Sequence, residues 1–184
     1  MAFQFDLESD FDQVYVDRHG TKIIDFALGY DLDENIVVLM SVMLVSDESY
    51  LKNEFAGIYD LQFGIRQRSL SGVEHLTPPD FGNQSSLKYI PRSKRADILE
   101  ILKVALACLL LDTQVRFVTM ETYYGHLPAK AMRKYAAICE VIAKCGYSQI
   151  DTFRDPRPAS TIGSLADNIE VRHGLWYGVS VMEH

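Results

Sequence analysis

The order of structural signals between Ser85 and Tyr147 constrains this chain more than any other feature. Leu87-Lys88-Tyr89-Ile90 reads as a short strand, and Pro91-Arg92-Ser93-Lys94-Arg95 as a basic loop. A long apolar helix is predicted over Ala96 to Leu111. There Ile98, Leu99, Ile101, Leu102, Ala105, Leu106, Leu109 and Leu110 recur at helical spacing, and Asp97 near the start complements the helix dipole. A buried strand over Val115 to Thr119 follows, then a helix from Pro128 or Ala129 to Lys144 that ends at Gly146. This second helix is expected to bury Met132, Ala136, Cys139, Val141 and Ile142. A strand that feeds a helix through a cationic loop gathers free N–H groups and positive charge at one point, which suits a phosphate.

The chain before this stretch has a β texture. Val14 to Val16, Lys22 to Leu28 and Ile36 to Val45 are strand candidates, and the polar turn Asp31 to Asn35 joins the last two as a hairpin. A further strand covers Ala56 to Arg68. Ile58, Asp60, Gln62, Gly64, Arg66 and Arg68 mostly share one face, with Tyr59, Leu61, Phe63 and Ile65 on the other. Asp47 to Asn53 is a loop or a short helix. Ser69 to Ser86, with Gly72, Pro78-Pro79 and Gly82, is a long irregular segment. Two last strands are expected over Tyr147 to Phe153 and Leu175 to Met182, separated by a Pro-rich polar excursion from Arg154 to Arg172. No linker separates two cores, so residues 1–184 are expected to form one domain.

Charge and cysteine usage narrow the function classes. A chain of 184 residues with 48% hydrophobic and 23% charged residues suits a soluble globular domain. Its net charge of −7 argues against general nucleic-acid binding, which needs clustered cationic surface. Cys108, Cys139 and Cys145 lack zinc spacing and are expected to be reduced, buried thiols of a cytoplasmic protein. The N-terminus lacks the cationic and apolar regions of an export signal, and the run from Ile98 to Leu111 is too short to span a bilayer.

The strand–loop–helix–strand–helix order resembles the acetyl-CoA-binding half of GCN5-related N-acetyltransferases. In that family a loop of the form Gln/Arg-x-x-Gly-x-Gly/Ala holds the coenzyme pyrophosphate. Arg92-Ser93-Lys94-Arg95-Ala96-Asp97 is its counterpart here, with Arg92 in the first position and Arg95 and Asp97 where small residues are usual. A family helix ending Asn-x-x-Ala-x-x-x-Tyr-x-x-x-Gly-Phe aligns on Gly146-Tyr147, which places Ile142 on the general-acid tyrosine and Tyr135 on the asparagine. The resemblance covers residues 85 to 182. It implies a single mixed, largely antiparallel sheet with helices on both faces, an α/β fold of the acyl-CoA N-acyltransferase type. It also implies acetyl-CoA as co-substrate and an amine as acceptor. Arg92, Lys94 and Arg95 would then position the pyrophosphate, and backbone groups near Tyr89 and Ile90 would run beside the pantetheine arm. A catalytically inactive fold that binds or inhibits a protein partner is the competing reading.

Other chemistry is sparser. Glu121 to His126 follows the buried strand; Glu121 is a candidate base and His126 a group that titrates near neutrality, against the plainer reading of a polar turn. His19, His75 and His173 show no ligand spacing, so no metal site is expected. No Gly-x-Ser-x-Gly elbow and no Gly-x-x-x-x-Gly-Lys-Ser/Thr loop occurs. Lys88 joins Arg92, Lys94 and Arg95 in a cationic cluster that is either solvated surface or an anion site. Asp6, Glu8, Asp10 and Asp12, spaced by two, form an acidic edge or arm that would suit a basic partner.

Overall fold

The computed structural model describes residues 3–7, 11, 13–46, 58–71, 88–122, 129–158 and 169–179. Side chains are described through Gln149, apart from those of residues 121, 122 and 129–132. The expected features at residues 47–53, 72–86 and 123–128, and the acids Glu8, Asp10 and Asp12, lie outside these segments. The described chain is a mixed, largely antiparallel sheet with helices, and it divides into two compact units.

The first unit comprises Met1–Val45 and Gln62–Gln114. Its strands are β1 (Gln4–Phe5), β2 (Tyr15–Val16), β3 (Lys22–Asp31), β4 (Ile36–Ser46) and the later part of β5 (Ile58–Ser69), in the order β1-β3-β4-β5 with β2 also against β3. The β3–β4 hairpin forms as its apolar runs predict, with Ile23 opposite Met43 and Phe26 opposite Met40. Both faces are buried, so Ile24, Phe26, Leu28, Val38, Leu39 and Val42 are almost wholly out of water. Its turn is held by Asp31 Oδ1, which accepts from the N–H groups of Asp33 and Glu34, both at 3.2 Å. Gly29 sits at a bulge in β3, where a Cβ would lie 2.1 Å from the Gln4 carbonyl oxygen. Only glycine lets β1 approach this closely.

Helix α1 (Arg95–Thr113) packs against β3 and buries Ile98, Leu102, Ala105, Leu106, Leu109 and Leu110, six of the eight residues expected to face inward. Leu99 and Ile101 are half-buried. The helix ends at Gln114, whose left-handed backbone (φ 45°) directs its N–H to the Leu110 carbonyl at 3.0 Å. The expected strand over Leu87 to Ile90 is corrected, because Lys88 and Tyr89 are helical. Four residues carry too few periods to separate a strand from a helical turn that buries one tyrosine. Tyr89 is that residue, at 2% exposure, and Pro91 then opens a 3₁₀ turn over Arg92–Lys94 that runs straight into α1.

The second unit comprises Ser46–Leu61 and Val115–His184. Here the first residues of β5 pair in parallel with β6 (Phe117–Thr122), and β8 (Ile169–Val179) lies between β6 and β7 (Tyr147–Pro158) as their antiparallel neighbour. A parallel pair needs a long crossover connection, and α1 lies in the chain between β5 and β6. The strand expected from Val115 starts at Phe117, since Gln114 reverses the backbone just before it. Val115 is nonetheless buried, and its carbonyl accepts the Tyr147 hydroxyl at 2.6 Å.

Two expectations change in this unit. The excursion from Arg154 to Arg172 is partly strand, because β7 continues through Pro156 and Pro158 opposite Val171 and Ile169. β7 ends the strand order, and an outer strand tolerates proline because one of its edges needs no ladder N–H. Helix α2 (Ala129–Lys144) packs against β7 and buries Ile138 and Ile142, while Ala136 is exposed and Cys139 and Val141 are half-buried. Gly146, at φ +92°, provides the left-handed stop. The three cysteines form no disulfide, but Cys108 is exposed and Cys139 and Cys145 are only half-buried, so none is a core thiol.

Candidate anion-binding site

The cationic turn is built by proline and closed by the backbone. Pro91 (φ −58°, ψ 140°) sets the entry, and the Lys94 N–H donates to the Pro91 carbonyl at 3.0 Å. No side chain caps the 3₁₀ turn or α1. Amides at such a start remain open to an external acceptor, and the dipole adds partial positive charge there. Arg92, Lys94 and Arg95 are all exposed at this end. Lys94 Nζ sits 3.5 Å from Asp97 Oδ2, an exposed pair that offsets part of the positive charge. Arg95 and Asp97 stand on the first helical turn with side chains where a close-packed phosphate loop has none.

Just before the turn, Tyr89 anchors the segment. Its hydroxyl receives hydrogen bonds from Gln67 Nε2 at 2.8 Å and Lys88 Nζ at 2.6 Å. Phe3 meets its ring edge-on at 5.0 Å, and Lys88 Nζ lies 4.5 Å from the ring centroid. The bond to Tyr89 also raises the Lys88 pKa above the ordinary lysine value. Lys88 is therefore drawn back onto Tyr89 while Arg92 and Arg95 stand in solvent. Ile90 is half-buried. The sequence places these residues in one run; the structure divides them between an anchor and an exposed turn.

Glu121 lies on β6 in register with Gly174 of β8. His126 and its neighbours in the expected constellation fall outside the described residues. His19 is exposed and accepts from Arg18 Nε at 3.0 Å, and His173 pairs in register with Thr122. Among the described residues, no group of three or more His, Cys, Asp or Glu is placed to hold a metal ion. No helix among them is long and apolar enough to cross a membrane.

Two polar arrangements went unnoticed in the sequence. In the first unit, Tyr15 donates to Asp25 Oδ2 at 2.9 Å, and Arg66 Nη1 donates to the Tyr15 hydroxyl at 2.9 Å. Asp25 is 1% exposed inside the apolar run of β3. Burial, then the adjacent carboxylate, holds the Tyr15 phenol well above its ordinary pKa, so it remains a neutral donor. A lone carboxylate in a buried strand and Arg66 on the polar face of β5 were the available signals. In the second unit, Thr119 lies opposite Asp60 in the parallel ladder, and its hydroxyl approaches Asp60 Oδ1 at 3.3 Å. The ladder pairs Ile58 to Asp60 with Phe117 to Thr119, while β6 continues to Thr122 against β8.

Ile142, aligned by the resemblance with a catalytic tyrosine, is completely buried in α2 and has no polar group to offer. Tyr135, about two helical turns earlier, is half-buried, and burial raises its pKa.

Comparison with known proteins finds a divergent fold likeness only. A chimera of the Vibrio cholerae spermidine N-acetyltransferase SpeG and hSSAT is similar over 87% of this chain, with 9% identity and a TM-score of 0.41. A SpeG point mutant from Vibrio cholerae is similar over 87% of this chain, with 10% identity and a TM-score of 0.38. The chain covers 66% and 64% of those two chains, just under two thirds of their length. No family model matches the sequence, and no curated protein matches it.

Proposed function

We propose that this chain is a divergent acyl-CoA-dependent N-acyltransferase of one domain, acting in the cytoplasm to transfer an acetyl group to an amine. The observation that carries this reading is the uncapped, solvent-facing start of the 3₁₀ turn and α1, with Arg92, Lys94 and Arg95 around it. Free amides and guanidinium groups at one point are the donors a pyrophosphate needs. In this reading Arg92, Lys94 and Arg95 hold the coenzyme pyrophosphate. Only the backbone near Tyr89 and Ile90 serves the pantetheine arm, because the Tyr89 hydroxyl is engaged with Gln67 and Lys88. The amine nitrogen attacks the thioester carbonyl, coenzyme A leaves as its thiolate, and Glu121 takes the proton lost by nitrogen. The departing thiolate takes its proton from water, since Ile142 has none to give.

A second reading, a catalytically silent member of this fold that binds a protein partner, is favoured by the burial of Ile142 and by the side chains of Arg95 and Asp97. Calorimetric titration with acetyl-CoA, coenzyme A and inorganic phosphate separates the two. The enzyme reading expects both coenzyme forms to bind. Arg92→Ala and Arg95→Ala should each weaken binding by about 1–3 kcal/mol, the range for bonds to charged groups, with unchanged circular dichroism. Absence of coenzyme binding would sink it. If coenzyme binds, turnover on an amine panel should be slow and fall further in Glu121→Gln.

A further inference from the structure

Every residue from Pro91 to Asp97 is exposed, so the cationic turn has no buried side chain of its own to fix where it faces. Its position is set by its flanks. Downstream, the buried Ile98 seats the first turn of α1. Upstream, the flank is Tyr89, which is equally buried. Lys88 bonds to Tyr89 from the same segment and moves with it. Gln67 and Phe3 come from elsewhere: Gln67 of β5 bonds the hydroxyl, and Phe3, the residue before β1, meets the ring edge-on. We propose, on the reading that this turn holds a pyrophosphate, that Phe3 is a positioning residue of the site. Seated by β1, it holds Tyr89 and thereby sets how the turn presents its amides and cations.

β3 is shaped to receive β1 at this point. Phe5 lies opposite Gly29, Gln4 opposite Tyr30, and the Asp6 N–H donates to the Leu28 carbonyl at 3.1 Å. A Cβ at Gly29 would lie 2.8 Å from Phe3 Cζ and 2.9 Å from the Asp6 nitrogen, inside van der Waals contact with both. Its φ of +150° is also a conformation that side chains disfavour. The one glycine thus admits both the strand and the Phe3 ring.

β1 is two residues long and stands at one end of the strand order, so little pairing keeps it docked. β2 is held separately, by its own ladder to β3 and by the Tyr15 bonds to Asp25 and Arg66. β1 can therefore leave while β2 stays. With β1 docked, Phe3 braces Tyr89 and the turn is held; with β1 released, that brace is lost. The fraction of chains with the turn in place scales the apparent affinity for its ligand. Linkage requires the reverse as well: an anion bound at the turn holds β1 down by the same factor.

Nitrogen relaxation and amide exchange on the full chain, with and without coenzyme A, test this. In ligand-free Phe3→Ala, order parameters from Arg92 to Asp97 should drop from the rigid range of about 0.85 toward about 0.6, while those from Leu106 to Leu110 stay rigid. Coenzyme A should bind this variant about three- to tenfold more weakly, the scale of one aromatic contact. In the wild type, saturating coenzyme A should slow exchange of the Asp6 amide by a similar factor. The Asp17 amide beside β2, bonded to the Thr21 carbonyl, should not respond. Gly29→Ala should reproduce both losses by placing a Cβ in the path of β1; where that variant fails to fold, Phe3→Ala decides. A turn that stays rigid in folded Phe3→Ala would overturn the proposal, as would unaltered affinity or an Asp6 amide indifferent to coenzyme A. If the wild type binds no coenzyme A, the pyrophosphate reading fails instead, and the ligand-free order parameters still decide whether Phe3 positions the turn.

Discussion

The two helices differ in how their sequences encode burial. In α1 the apolar residues span a wide arc, and six of them are buried with a reserve left over on the outside. In α2, lysine, arginine and glutamate interrupt the pattern, and of the expected inward residues with described side chains only Ile142 is fully enclosed. Its other anchor is Ile138, one turn earlier. A broad stripe keeps the same residues buried when the assumed phase is off by a fraction of a turn. A narrow stripe does not, and Ala136 accordingly comes out on the solvent side.

The sharpest way to break this comparison is truncation at the centre of α1. Leu106→Ala, at a site with no measurable exposure, should cost about 3–5 kcal/mol in lost transfer energy and residual cavity, read by urea unfolding. A loss under about 0.5 kcal/mol is what an exposed position would show, and would mean the helix is differently seated. Ile138→Ala in α2 should cost about 2–4 kcal/mol by the same route. The two costs converge only if the narrow stripe is packed as closely as the wide one.

A smaller effect probes the seam from Val115 to Tyr147. Tyr147→Phe removes a hydrogen bond to the Val115 carbonyl and should cost about 1 kcal/mol near neutral pH. Burial, with a lesser contribution from Cys145, pushes the Tyr147 phenol up to about 12, against about 10 in an unfolded chain. Between those values the unfolded chain has released the proton and the folded one still holds it. Stability is therefore complete below about pH 10 and falls as pH rises through 12. In Tyr147→Phe the alkaline fall should be shallower, though not abolished, since the Tyr15 and Tyr135 phenols are also raised. An identical alkaline limb would remove Tyr147 from this account. Smallest of all, Ala136→Ser should change stability by less than about 0.5 kcal/mol, as expected of a solvent position.

The candidate site was partly legible. The basic residues and the helix after them could be read because charge clusters and helical periodicity are local properties. The conformation just upstream could not, because Leu87 to Ile90 is as compatible with a helical turn as with a strand until Gln67 and Phe3 arrive from elsewhere to hold Tyr89. The Tyr15–Asp25–Arg66 network was hidden for the same reason. Its members stand 10 and 51 residues from Tyr15, and only folding brings them together.

Local sequence by itself determined the β3–β4 hairpin, the span of α1 and the stop at Gly146, each set by burial of neighbouring residues or by the dihedrals of a single position. Tertiary structure decided which strands meet. It paired β5 with β6 in parallel, placed β8 between β6 and β7, and left β7 outermost, where Pro156 and Pro158 continue a strand that a central position would have ended. It also chose the face of α2, because a narrow stripe gains its meaning from the surface it covers. Strand order and helix seating are nonlocal: their energies come from ladders and contacts between segments whose sequences do not name their partners.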